Sequence, residues 1–149
     1  IEQVVRNADV DPMSIALEVT ESMIMENVDA AVTTMVKLRS RGLSIHIDDF
    51  GTGYSSLSYL HRLPINALKI DRSFIKKLSA EGENKEVILS IVMLANSLNF
   101  DVIAEGVELE HQLTKIMDLQ CQFGQGSLFA EPMEHQDIDV WVHAERVLR

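Results

Sequence analysis

Short apolar runs that each end in a polar or charged residue, separated by stretches of helical periodicity, recur along this chain and limit what it can fold into. Five runs fit the pattern: Ser14 to Val19 with Glu18, Leu43 to Ile47 leading into Asp48 and Asp49, Ala67 to Ile70 with Lys69, Phe100 to Ala104 ending at Glu105, and Leu119 to Phe123 ahead of Gln125. Each reads as a strand. Val28 to Arg41 sets Ala31, Met35 and Leu38 at helical spacing with Gly42 as a stop, and Asn84 to Leu98 does the same with Ile88, Ile91, Val92 and Ala95. A short terminal helix is expected from about Ile138. Strands alternating with helices of this length imply a parallel sheet built from right-handed crossovers.

The polar residues at the strand ends lie 30, 21, 36 and 20 positions apart. Eight units of that mean length need about 214 residues, close to the size of a (β/α)8 barrel. The expected fold is therefore α/β, a partial (β/α)8 barrel in one domain over residues 1–149, holding about five units with the N-terminal strands missing. The first residue is not methionine, and the chain reads as cut from something longer. A doubly wound open sheet is the competitor, but no Gly-x-Gly-x-x-Gly turn or Gly-Lys-Ser/Thr phosphate loop occurs. Barrel enzymes keep their reactive groups at the C-terminal ends of different strands, so the five polar strand ends form one candidate site.

Charge narrows the partners. With 13 basic against 23 acidic residues the formal net charge is −10, which argues against binding of polymeric nucleic acid by charge alone. Divalent cations held between carboxylates and a phosphate would invert that logic. A single cysteine, Cys121, excludes an intrachain disulfide and suits a reducing compartment, so a cytoplasmic location is expected. The longest apolar stretch, Val87 to Leu98, is broken by Ser90, Asn96 and Ser97 and falls short of the roughly 20 residues needed to cross a bilayer.

The most specific segment is Asp48-Asp49-Phe50-Gly51-Thr52-Gly53-Tyr54-Ser55-Ser56-Leu57, a carboxylate pair at a strand end followed by a glycine-bearing loop. Two aspartates whose side chains diverge there suit a two-cation site, one bridging both ions and the other holding the second. Gly51 and Gly53 supply hinge freedom. A helix cap on Asp49 is the plainer explanation, but it leaves Asp48 unaccounted for. Asp49-Phe50-Gly51 also mimics a protein-kinase tripeptide, without the nucleotide loop or His-Arg-Asp segment that would support it.

Taken in order, Leu17-Glu18-Val19-Thr20-Glu21-Ser22, Ile47 to Gly53, Leu68-Lys69-Ile70-Asp71 and Ala104-Glu105-Gly106-Val107-Glu108 resemble the EAL domain family, bacterial cyclic di-GMP phosphodiesterases, from about Pro12 to Met133. The resemblance is to strands four to eight of that family's modified TIM barrel. The Glu-Ala-Leu segment and the strand carrying a metal-binding asparagine are absent. By motif, Glu18 resembles a ligand of the first metal, Asp48 the bridging ligand, and Asp49 with Glu105 the ligands of the second. Lys69 resembles the residue that holds or polarises the attacking water, with Glu105 beside it in the catalytic set. An ion pair of Lys69 with Asp71 or Glu105 is the plainer alternative. Glu21 resembles the tether of the loop containing Gly51, Thr52 and Gly53, and it also suits a helix start. Asp71, Glu108 and Gln125 resemble the substrate side, with capping as the alternative for Glu108.

The resemblance implies two Mg2+ or Mn2+ ions, cyclic di-GMP as ligand, hydrolysis to linear pGpG, an upstream sensory or GGDEF-type domain, a membrane tether if upstream segments supply one, and a homodimer contact in Ser55 to Leu63. A non-catalytic cyclic di-GMP receptor or interaction module is the second class, although the aspartate pair, the lysine and the loop are all intact. Gln122 and Ser127 stand where the family usually has aspartate and tyrosine, which suggests altered substrate packing. With metal ligands missing and strand four left as an open edge, the 149-residue piece alone is expected to turn over little. His46 shares the parity of Asp48 but reads as a hydrogen-bonded core residue. Met23, Met25, Met35, Met93 and Met117 read as packing, and Cys121 as buried and inert.

Overall fold

The computed structural model describes residues 2–53, 57–78 and 84–146. Five parallel strands, β1 (Ala16–Thr20), β2 (Ser44–Phe50), β3 (Ala67–Ile70), β4 (Asp101–Glu105) and β5 (Phe123–Gln125), lie in the order β1-β2-β3-β4-β5. Chain order never reverses across the sheet. A doubly wound sheet reverses at its switch point, so the order is that of a barrel wall and the α/β partial-barrel expectation holds. The helices are α1 (Glu2–Asn7), α2 (Glu21–Glu26), α3 (Val28–Arg39), α4 (Leu57–Leu60), α5 (Arg72–Lys76), α6 (Lys85–Ser97), α7 (Glu110–Asp118) and α8 (His135–Arg146).

Alternation along the strands decides which way the sheet faces. Ile45 and Ile47 of β2, Leu68 and Ile70 of β3, and Val102 and Ala104 of β4 are fully buried on the side that carries α3 and α6. Ile88, Val92 and Ala95 answer them from α6. Each such aliphatic side chain contributes about 1.5–3 kcal/mol on leaving water, so this layer dominates the stability. The opposite parity, Glu18, His46, Asp48, Lys69 and Glu105, faces the barrel interior.

Three elements start two or more residues away from the sequence expectation. Pro12–Ser14 is a 3-10 turn capped by Asp11, whose side chain accepts from the Met13 N–H at 2.9 Å, so the first strand starts at Ala16. The run from Leu119 is not a strand. Ile116 and Leu119 are buried as the inner face and end of α7, Gln120 turns the chain with φ +62°, and pairing starts only at Phe123. The last helix begins at His135, three residues early. Of the five methionines expected to pack, Met35 is buried, but Met23, Met25, Met93 and Met117 are 41–65% exposed, because they occupy outer positions of their helices.

Candidate functional site

A one-residue irregularity builds the site. His46 pairs with Ala67 and Ile47 with Leu68, but the next match is Phe50 with Ile70, so Asp48 and Asp49 together oppose Lys69. This is a β-bulge. Asp49 takes φ +53°, a left-handed conformation that aspartate tolerates better than most residues. Strict alternation would send Asp49 toward the helices, whereas the bulge keeps it on the interior side with Asp48 and returns Phe50 to the core at 3% exposure. The turn is closed locally: the Asp49 N–H donates to Asp48 Oδ1 at 3.0 Å, and the Thr52 hydroxyl donates to the Asp49 carbonyl at 2.8 Å. No helix follows directly, so Asp49 is not a helix cap.

Asp48, Asp49 and Glu105 each offer a carboxylate oxygen within 4.8 Å of the others. Lys69 lies beside them, its side chain 4% exposed, with Nζ 2.6 Å from both Glu18 and Glu105 and 3.3 Å from Asp48. Burial alone would drive the ammonium neutral, but the hydrogen bonds to Glu105 and Glu18 overcome it and raise the lysine pKa. Lys69 therefore stays charged. Glu105 is pushed upward chiefly by burial, against the pull of Lys69, and Asp49 chiefly by burial with Asp48 and Asp71 adding repulsion. Converging hard oxygen donors are the chemistry of a divalent-cation site, and Asp48, Asp49 and Glu105 fit one. Glu18 sits outside this trio, 47% exposed, and joins it through Lys69. The ion pair offered as the plainer role of Lys69 exists with Glu105; Asp71 is not a partner.

Asp71 instead caps α5, accepting from the Ser73 N–H at 2.9 Å, and those hydrogen bonds outweigh burial to hold its pKa below the ordinary value. It lines a cavity of about 340 Å³ with Asp49, Glu105, Arg72 and Gln125. Gln125 pairs with Glu105 in register. Gly126 then crosses the Val107 backbone so closely that an added Cβ would lie 2.1 Å from the Val107 carbonyl oxygen. Glu108 is not in this cavity: it faces Lys76 at 3.9 Å, and its own N–H is capped by the Gln112 side chain at 2.8 Å. The capping role considered for Glu108 thus belongs to Gln112.

Glu21 lies at a helix start and next to the glycine loop. It opens α2 behind the Thr20 cap, and it is buried, its carboxylate 3.5 Å from where a Gly53 Cβ would be. The Tyr59 hydroxyl donates to its Oε1 at 3.0 Å, while Oε2 is buried without a hydrogen-bond partner. Burial, with the bond to Glu21, raises the Tyr59 pKa to about 12. Tyr59, Arg72 and Gln112 were not singled out in the sequence. For Gln112 a signal exists, glutamine three residues past Leu109 at a helix start; Tyr59 carries none, because its partner is 38 positions away. The Ser55 end of the suggested dimer segment lies outside the described residues. His46 bonds Ser44 Oγ at 3.2 Å as expected and is pushed downward by burial, but it is only partly buried and lies on the interior face, outside the aliphatic core. Burial raises the Cys121 thiol to about 11.

Gln122 is far from where altered substrate packing would need it. Its Oε1 accepts from the Val102 N–H at 2.9 Å and its Nε2 donates to Asn96 at 2.9 Å, at the start of β4 and the opposite end of the sheet.

Comparison with known proteins gives the family. The family model described as EAL domain matches residues 1–132. "Cyclic di-GMP phosphodiesterase NbdA" of Pseudomonas aeruginosa is 44% identical over 130 residues, 87% of this chain and 17% of that protein. The solved PaMucR phosphodiesterase in complex with cyclic di-GMP superposes with a TM-score of 0.87 at 41% identity, over 92% of this chain and 56% of that one. BlrP1 of Klebsiella pneumoniae, solved with manganese and cyclic di-GMP, gives 0.78 at 30% identity, over 87% and 33%. The chain spans about a fifth of the curated relatives it matches, and among its described residues no helix is long and apolar enough to cross a membrane. With that family model matching residues 1–132 and relatives 41–44% identical over most of its length, the chain belongs to the EAL domain family.

Proposed function

We propose that residues 1–149 are the C-terminal part of one EAL barrel that hydrolyses cyclic di-GMP to linear pGpG, in the cytoplasm, under control of an upstream sensory or GGDEF-type domain and as a homodimer. The observation that carries the reading is the convergence of Asp48, Asp49 and Glu105 beside a buried, protonated Lys69. Asp48, Asp49 and Glu105 would hold divalent cations, Mg2+ or Mn2+, with Glu18 as a further ligand. Bound there, such ions lower the pKa of water and neutralise phosphodiester oxygens.

Lys69 works as a donor and not as a base, since its neighbours keep it charged. Two of its N–H groups are engaged at 2.6 Å, and the one toward Asp48 at 3.3 Å is the least committed and the one available to hold the attacking water. In the reaction a P–O bond forms from that water as the P–O3′ bond breaks, and the water's proton balances the 3′ oxygen. Asp71 and Gln125 line the adjoining cavity, which would take a part of the substrate next to the scissile phosphate. Glu21 supports the loop from below at Gly53. Turnover of cyclic di-GMP by the full-length protein, with and without Mn2+ or Mg2+ and with Lys69→Ala as control, tests this reading by chromatography of the product. Metal-dependent pGpG that disappears in the variant is expected; saturable binding without product would replace the hydrolase with a receptor.

A further inference from the structure

The cavity beside the carboxylates holds one residue that neither the proposed chemistry nor the sequence motifs use. Of the described residues lining its roughly 340 Å³, Arg72 is the one cation. Its backbone is fixed at the first position of α5 by the Asp71 cap. Its stem rests against the end of β4: a Cβ on Gly106 would fall 2.6 Å from Arg72 Cβ, and Gly106 itself takes φ +70°. The glycine therefore permits a close approach that ties Arg72 to the strand bearing Glu105.

We propose that Arg72 reads the O6/N7 edge of a guanine seated in this cavity and so makes the site prefer guanine to adenine; this rests on the cyclic di-GMP reading above. Size favours a base. The cavity is at the low end for small-molecule sites, with room for one nucleobase beside the carboxylates and not for a whole cyclic dinucleotide. Charge favours it too. The place for the scissile phosphate is the carboxylate trio with its cations, and Arg72 is exposed and adjacent in sequence to Asp71, where an ion pair with a second phosphate would be screened. A planar fork needs no charge on its ligand, because two parallel N–H groups match two acceptors on guanine. Adenine offers N7 but turns an amino donor toward the second N–H.

The test is steady-state hydrolysis of cyclic di-GMP and cyclic di-AMP by the full-length protein and its Arg72→Ala and Arg72→Lys variants, with calorimetric binding of both dinucleotides. Arg72→Ala is expected to raise KM for cyclic di-GMP about 10- to 100-fold with kcat within about threefold, while cyclic di-AMP is unaffected, so the preference shrinks by the same factor. Arg72→Lys is expected not to restore it, since one ammonium cannot fork across O6 and N7. Equal losses for both dinucleotides, rescue by lysine, or no change would overturn the proposal. If the wild type hydrolyses neither, the phosphodiesterase reading fails separately, and the binding preference of wild type against Arg72→Ala still decides for or against Arg72. Failure to bind either dinucleotide overturns both.

Discussion

The two ends of the sheet carry polar residues in similar apolar surroundings, yet they do opposite things. At the N-terminal end, Asn66 accepts from the Ile45 N–H at 3.1 Å and Gln122 from the Val102 N–H at 2.9 Å; neutral amides finish the ladder where backbone donors would otherwise be buried alone. At the C-terminal end, three carboxylates crowd one lysine, a strand is bulged, an aspartate is left-handed, and two acids hold protons more tightly than usual. One end is satisfied and the other is held in tension, which is how a scaffold differs from a site built on it.

The sharpest way to break that contrast is Lys69→Met, which leaves Glu18, Asp48 and Glu105 without their shared cation. It should cost the full-length protein roughly 10²–10³-fold or more in turnover. In chelator it should also cost about 3 kcal/mol of stability, partly recovered on adding Mn2+, as read by thermal melts. Gly126→Ala comes next. Its Cβ has no room beside Val107, so about 3 kcal/mol is expected in urea unfolding, whereas Gly53→Ala, with only ordinary contact to Glu21, should change stability by less than about 0.5 kcal/mol.

Asn66→Ala and Gln122→Ala should each cost about 1–3 kcal/mol by stranding a buried N–H, and leave the metal dependence and KM of the full-length protein unchanged. A shift in KM from Gln122→Ala would return that residue to the substrate side.

The smallest effect is on pH. With Glu105 above its ordinary 4.5, the folded chain takes up a proton before the unfolded one does. Metal-free stability should therefore rise slightly as pH falls through the folded value toward 4.5, and Glu105→Gln should remove the Glu105 share of the rise while leaving that of Asp49, which is raised as well. Asp71, held below 3.8, acts in the other sense, and its contribution is lost as pH falls below that ordinary value toward the folded one.

Four of the five strands were legible because Leu17 and Val19 in β1, Ile45 and Ile47 in β2, Leu68 and Ile70 in β3, and Val102 and Ala104 in β4 alternate with mostly polar residues. The fifth was not, since the buried face of α7 supplies Leu119, and a short apolar run looks alike in either element. The acids and Lys69 were legible from motif order. What brings Asp49 beside Asp48 was not, because a bulge changes no residue type and is seen only in the register. The duties of Tyr59, Asn66 and Gln122 rest on partners 21 to 38 positions away or on backbone atoms, to which periodicity is blind.

The bulge also limits transplantation. Copying an Asp-Asp pair into a regularly paired strand of another scaffold would deliver one ligand and sink the other carboxylate among aliphatic side chains on the helix side. A designer who wants this carboxylate cluster elsewhere must graft the supernumerary residue and its left-handed turn along with the acids, and must then re-phase every side chain downstream in that strand.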